Sequence, residues 1–67
     1  MAKIQLNGGE YEINSGMNLA ELLKKLKISN TKVAVEINGI IVDKDQYEKR
    51  SLHKDDQVEI VHFIGGG

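Results

Sequence analysis

The sequence closes on Val58-Glu59-Ile60-Val61-His62-Phe63-Ile64-Gly65-Gly66-Gly67, and the group with the most chemical scope there is the α-carboxylate of Gly67. A free α-carboxylate has a pKa near ~3.5, so at neutral pH it is ionised and a poor electrophile. It becomes an acyl donor only after activation, for example as an acyl-adenylate inside an enzyme. Gly65 and Gly66 suit that route, because a chain without Cβ atoms can enter a narrow channel that side chains would block. From Phe63 to Gly67 such a tail would reach roughly 13–14 Å. Ordering it costs on the order of 1–2 kcal/mol per residue, and more for glycine, so a partner must supply contacts on the body of the domain. A frayed chain end is the other reading of three glycines, and composition alone leaves both open.

No other group competes for chemistry. The chain has no cysteine, which excludes a thiol nucleophile, a persulfide or thioester on its own side chain, a disulfide framework and a thiolate metal site. His53 and His62 are nine residues apart without a clustered carboxylate or third ligand, and His62 reads as a strand-end side chain. Asp43-Lys44-Asp45 resembles the start of a calcium loop but has Glu48 at the sixth position and Lys54 at the twelfth, so it is rejected. Gly8-Gly9 is followed by a strand and not a helix, which excludes a phosphate loop. No nucleophile–base–orienter set exists. The chain does not read as a catalyst, and no cofactor of its own is expected.

Nine basic and ten acidic residues are spread along the 67 positions, giving a net charge of −1. With no basic stripe, and only Tyr11, Tyr47 and Phe63 as aromatics, nucleic acid is not the expected partner. No signal peptide or membrane-length apolar run is visible, so a cytoplasmic location is the expectation.

The elements that would position the tail are legible from periodicity. Ile4 and Leu6 alternate on a first strand, Asn7-Gly8-Gly9 signals a hairpin, and Tyr11 and Ile13 face inward on a second strand. Asn18 with Glu21 makes a capping box, with Met17 and Leu22 as the hydrophobic staple. Leu19, Leu22, Leu23 and Leu26 then form one stripe of a helix predicted from about Leu19 to Lys27, with lysines in its last turn. After a loop at Ser29-Asn30-Thr31 come a strand through Val33, Val35 and Ile37, a second turn at Asn38-Gly39, and a short strand Ile40-Ile41-Val42. Residues 43–57 are polar, anchored by Tyr47 and Leu52, and a final strand runs from Val58 to Phe63.

The order β-β-α-β-β-β in about 65 residues defines an α+β domain whose single helix packs across one face of the sheet. It resembles the ubiquitin-like β-grasp, in which the final strand is central and parallel to the first in a five-stranded mixed sheet. Residues 1–64 are then the domain, and 65–67 a flexible glycine tail. If Val58 and Ile60 face the helix, Val61 and Phe63 point to the opposite, polar face beside Lys3, Gln5 and Glu36. With Ile64 they form a candidate partner-binding patch next to the tail.

The ending, the opening strand with Asn7-Gly8, the helix start Asn18-Leu19-Ala20-Glu21-Leu22-Leu23 and the hairpin Val33-Ala34-Val35-Glu36-Ile37-Asn38-Gly39 together resemble the ThiS sulfur carriers of thiamine biosynthesis. The resemblance covers the whole chain. One departure is Asp55-Asp56, where many relatives have Gly-Asp, and it falls on a turn. The resemblance implies that an adenylating enzyme, similar to ubiquitin-activating enzymes, uses ATP to adenylate Gly67. Sulfur supplied through a cysteine desulfurase then makes a thiocarboxylate, and thiazole synthase takes that sulfur. Contacts with each partner should be modest, near or below ~1,200 Å² in total. A carrier of the molybdopterin-synthase type, a ubiquitin-like modifier and a plain interaction domain are the rival readings.

Overall fold

A computed structural model describes residues 1–63; the readings placed on Ile64, Gly65, Gly66 and Gly67 lie outside the described residues. Strands β1 (Ala2–Leu6) and β2 (Gly9–Ile13) form an antiparallel hairpin with Ile4 opposite Tyr11. Their two-residue turn holds Asn7 at φ 47° and Gly8 at φ 84°, the positive pair that matches the twist of the flanking strands. Ile4 and Ile13 are fully buried, whereas Tyr11 and Leu6 are only half-buried at the margin of the core.

Helix α1 (Leu19–Lys25) starts as the sequence predicts. Asn18 Oδ1 accepts from the Glu21 amide at 2.8 Å, and Glu21 Oε1 accepts from the Asn18 amide at 2.9 Å. The remaining first-turn amides find partners in a distant loop, Leu19 N–H on Arg50 O and Ala20 N–H on Tyr47 O, both at 2.9 Å. The helix stops short of the predicted Lys27. Lys27 adopts φ 59°, its amide donates to Lys24 O, and the Ile28 amide donates to Leu23 O, which together close a Schellman motif. Glycine is the usual residue there because a Cβ is strained in the left-handed region. Lys27→Gly is therefore expected to stabilise the domain by about 0.5–1 kcal/mol, visible as a higher Tm in thermal melts. An unchanged or lower Tm would contradict that reading.

Strands β3 (Val33–Ile37) and β4 (Ile40–Ile41) form a second hairpin around Asn38 (φ 54°) and Gly39 (φ 84°). β4 is shorter than predicted: Val42 leaves the strand, although its amide still donates to Val35 O at 2.9 Å. The segment Ser29–Lys32 is not an open loop but a 3₁₀ turn over Asn30–Lys32, capped by Ser29. Strand β5 (Gln57–His62) completes a mixed sheet in the order β2-β1-β5-β3-β4. It runs parallel to β1 and antiparallel to β3, so the last strand is central, as the resemblance to the β-grasp implied.

One face of the sheet gives Ile4, Ile13, Val33, Val35, Ile37, Val58 and Ile60 to a core closed by Leu19, Leu22 and Leu23 of α1. Each fully buried aliphatic side chain is worth about 1.5–3 kcal/mol against solvent. Tyr47 and Leu52 are buried too, and they draw the irregular segment 43–56 against the helix start. Leu52 N–H donates to Met17 O at 2.8 Å, and an isolated bridge joins Asn18 to Ser51. No helix of the described residues is long and apolar enough to cross a membrane.

Candidate functional site

Strand alternation sorts the end of β5. Val58 and Ile60 are buried under α1, while Val61 and Phe63 are 56% and 58% exposed on the helix-free face. Val61 lies directly opposite Ala34, and Phe63 is held against the start of β3 by its amide, which donates to Lys32 O at 3.0 Å. Lys44 crosses from the irregular segment, donating from Nζ to Asn30 O at 2.7 Å with the ammonium 5.7 Å from the centre of the Phe63 ring. That distance suits a cation–π contact on one side of the ring. Ile41, 69% exposed and opposite Glu36, adds a further apolar side chain to this face on β4.

The register also sets Glu36 directly against Glu59 on this face. Like charges in that position cost a few tenths of a kcal/mol, on the order of the 0.2–1 kcal/mol that cross-strand pairs contribute. Among the described residues neither carboxylate has an ion-pair partner. The corner is thus apolar at the chain exit and acidic behind it, a surface not arranged for the stability of the isolated domain.

The two turn asparagines reach across to β5. Asn38 accepts at Oδ1 from the Gln57 amide at 2.9 Å, and its Nδ2 donates to Asp56 Oδ1 at 3.0 Å. Asn7 accepts at Oδ1 from the Ile60 amide at 2.7 Å and donates from Nδ2 to Ile60 O at 3.3 Å. Asp56 is the buried polar residue of the core boundary. Its other oxygen accepts from the His53 amide at 2.8 Å and lies 3.6 Å from the Arg50 guanidinium. Burial alone would raise its pKa. The Asn38 and His53 hydrogen bonds and the positive charges of Arg50 and His53 outweigh that and hold the carboxyl below its ordinary value.

Of the predicted site residues, Val61 and Phe63 lie together on the exposed face, and Ile64 with Gly65, Gly66 and Gly67 falls outside the described residues. His53 and His62 are not brought together; both are exposed, and His53 sits 3.9 Å from Asp56. Among the described residues no group of three or more His, Cys, Asp or Glu side chains is placed to hold a metal ion. Asp43 precedes a 3₁₀ turn over Lys44–Gln46. Sequence reading missed Asp56, Arg50, Ile41 and the side-chain roles of Asn7 and Asn38. For the asparagines the signal was present, since each sits at a turn beside the central strand. For Asp56 it was not, because its partners combine the distant Asn38 turn with Arg50 and His53 of its own irregular segment.

A five-stranded mixed sheet with a central last strand parallel to the first, and one helix across one face, defines a ubiquitin-like β-grasp protein. The fold superposes on the crystal structure of a thiamine biosynthesis protein (ThiS) from Geobacter metallireducens with a TM-score of 0.83 and 29% identity, covering 97% of this chain and 99% of that one. The family model for the ThiS family matches residues 4–67, and the chain belongs to that family. The sulfur carrier protein ThiS of Bacillus subtilis is 37% identical over 65 residues, covering 96% of this chain and 98% of that one. A thiazole synthase of Magnetococcus marinus is 46% identical over 65 residues, which are 97% of this chain but 20% of that protein. The chain thus spans about a fifth of the length of the curated thiazole synthases it matches.

Proposed function

We propose that the protein is a sulfur carrier for making the thiazole part of thiamine, with the Gly67 carboxylate as the group that is modified. The carboxylate attacks the α-phosphorus of ATP in an adenylating enzyme, and pyrophosphate leaves. The terminal sulfur of a persulfide, supplied through a cysteine desulfurase, attacks the acyl carbon and AMP leaves. A second thiol takes the persulfide's inner sulfur as a disulfide, and a thiocarboxylate remains on Gly67. Thiazole synthase is the acceptor of that sulfur. Gly65 and Gly66 give the tail access, and Val61, Phe63 and Ile64 give the partner its grip.

The observation that carries this reading is the placement of Val61 and Phe63, exposed apolar residues at the end of the central strand and just after it, shortly before the glycines in sequence. Family membership through Gly67 and the ThiS-like segment within relatives named thiazole synthase support it. A partner presenting an apolar socket and a cation near Glu36 and Glu59 would fit this corner. Intact mass spectrometry after incubation with ATP, the adenylating enzyme and a sulfur donor should show one oxygen of the chain replaced by sulfur. An unchanged mass rejects the carrier reading, and isopeptide-linked conjugates would indicate a protein modifier. Reconstitution with thiazole synthase, against the large subunit of molybdopterin synthase, assigns the pathway. Phe63→Asp should weaken binding to the adenylating enzyme by about tenfold or more, the loss of one well-packed interface side chain. Titration calorimetry measures it, and wild-type affinity would remove Phe63 from the docking surface.

A further inference from the structure

We infer that Asn7 is a positioning residue, whose side-chain amide fixes the end of β5 and so the placement of Val61 and Phe63; the inference rests on the carrier reading above. β1 ends at Leu6, opposite Val58, and the backbone then turns away at Asn7-Gly8. Strand alternation with β3 is shown by Asn38 N–H on Gln57 O and Phe63 N–H on Lys32 O, so residues 57 and 63 direct their polar groups at β3. Val58 and Ile60 direct theirs the other way, toward β1. Val58 O is met by the Asn7 amide at 2.9 Å. Ile60 lies one step beyond the reach of β1, and its N–H and C=O are met by the Asn7 side chain.

A primary amide offers one acceptor and one donor in nearly the arrangement of a peptide unit, so Asn7 acts as one more residue of β1. Few residues could do this, because the position also demands φ 47°, which asparagine tolerates. Glycine would keep the turn and lose both bonds. Aspartate would keep the acceptor for Ile60 N–H but set an anionic oxygen against Ile60 O. Asn38 supplies a built-in comparison: it sits at the equivalent place in the other hairpin, also makes two side-chain bonds, and grips β5 at its opposite end.

Without Asn7, Ile60 loses its bonds on the β1 side, the segment Ile60–Phe63 is held from β3 alone, and a partner must order it on docking. The test uses the full chain as sulfur acceptor, varied in concentration with the adenylating enzyme, ATP and a sulfur donor, at a temperature where every variant is folded. Asn7→Gly should raise KM about five- to tenfold, the cost of re-ordering one residue, with kcat little changed. Asn7→Asp should give a smaller rise, and Asn38→Gly should leave KM near wild type. Amide exchange at Val61 and Phe63 should quicken in Asn7→Gly relative to Val35. Equal KM changes in Asn7→Gly and Asn38→Gly, or unaltered exchange at Val61 and Phe63, would overturn the positioning role. A wild-type chain that accepts no sulfur overturns instead the carrier reading on which it rests.

Discussion

Deleting Gly67 is expected to abolish thiocarboxylate formation while leaving the Tm of the domain unchanged. The truncated chain still ends in a glycine carboxylate of ordinary acidity, so the chemistry of the group is intact. Its position is not, since one residue of extended chain is about 3.3–3.6 Å. Reacting atoms must meet at about 3–3.5 Å, and a misplacement of about 1 Å can cost 10²-fold. A shift of a whole residue removes the carboxylate from the reacting centre. Among the described residues the buried core runs no further along the chain than Ile60. Single-turnover assays by mass spectrometry, paired with thermal melts, read both halves. Sulfur transfer at the wild-type rate by the truncated chain would sink the assignment of Gly67.

Asp56→Ala should destabilise the domain strongly, because one carboxylate satisfies groups from the Asn38 turn and from two positions of the irregular segment before β5. Its loss leaves the Asn38 amide, the His53 amide and the Arg50 guanidinium without their partner. Unmade hydrogen bonds at a buried position cost about 1–3 kcal/mol, and more when charge is involved. A total of about 2–4 kcal/mol corresponds to roughly 10–30 °C in Tm for a domain of this size. The same residue sets an acid limb. Its folded pKa lies below the unfolded value, so the stabilisation is complete above the unfolded pKa of about 3.9 and is lost as pH falls through the folded pKa. Asp56→Asn should therefore flatten the fall in Tm below about pH 4. Melts of both proteins across the acid range test this, and parallel curves would show that Asp56 does not set the limb.

Much of the architecture is legible in the sequence. Alternation in β1 and β3, the paired Asn-Gly turns and the Asn18–Glu21 capping box are local signals, and all reappear where the residues placed them. The errors were at ends. The helix was predicted to Lys27 because nothing local distinguishes a lysine in the left-handed region from one in a last turn. Asp55, where the resemblance led to an expectation of glycine, takes a positive φ of 68°, and the position does fall on a turn.

By itself, then, the sequence determined the residue types and the order of elements: no cysteine, three glycines after the last strand, two hairpins and one helix. Those are properties of residue type and short-range spacing, where period and turn propensity act within a few positions. Only the tertiary structure decided what holds the last strand. Asn7 and Ile60 are 53 positions apart, and Asn38 and Asp56 are 18 apart, yet each pair is joined by hydrogen bonds. Such contacts exist because a central strand must satisfy backbone groups where its neighbours end, and no spacing rule in the chain announces which side chain will arrive there.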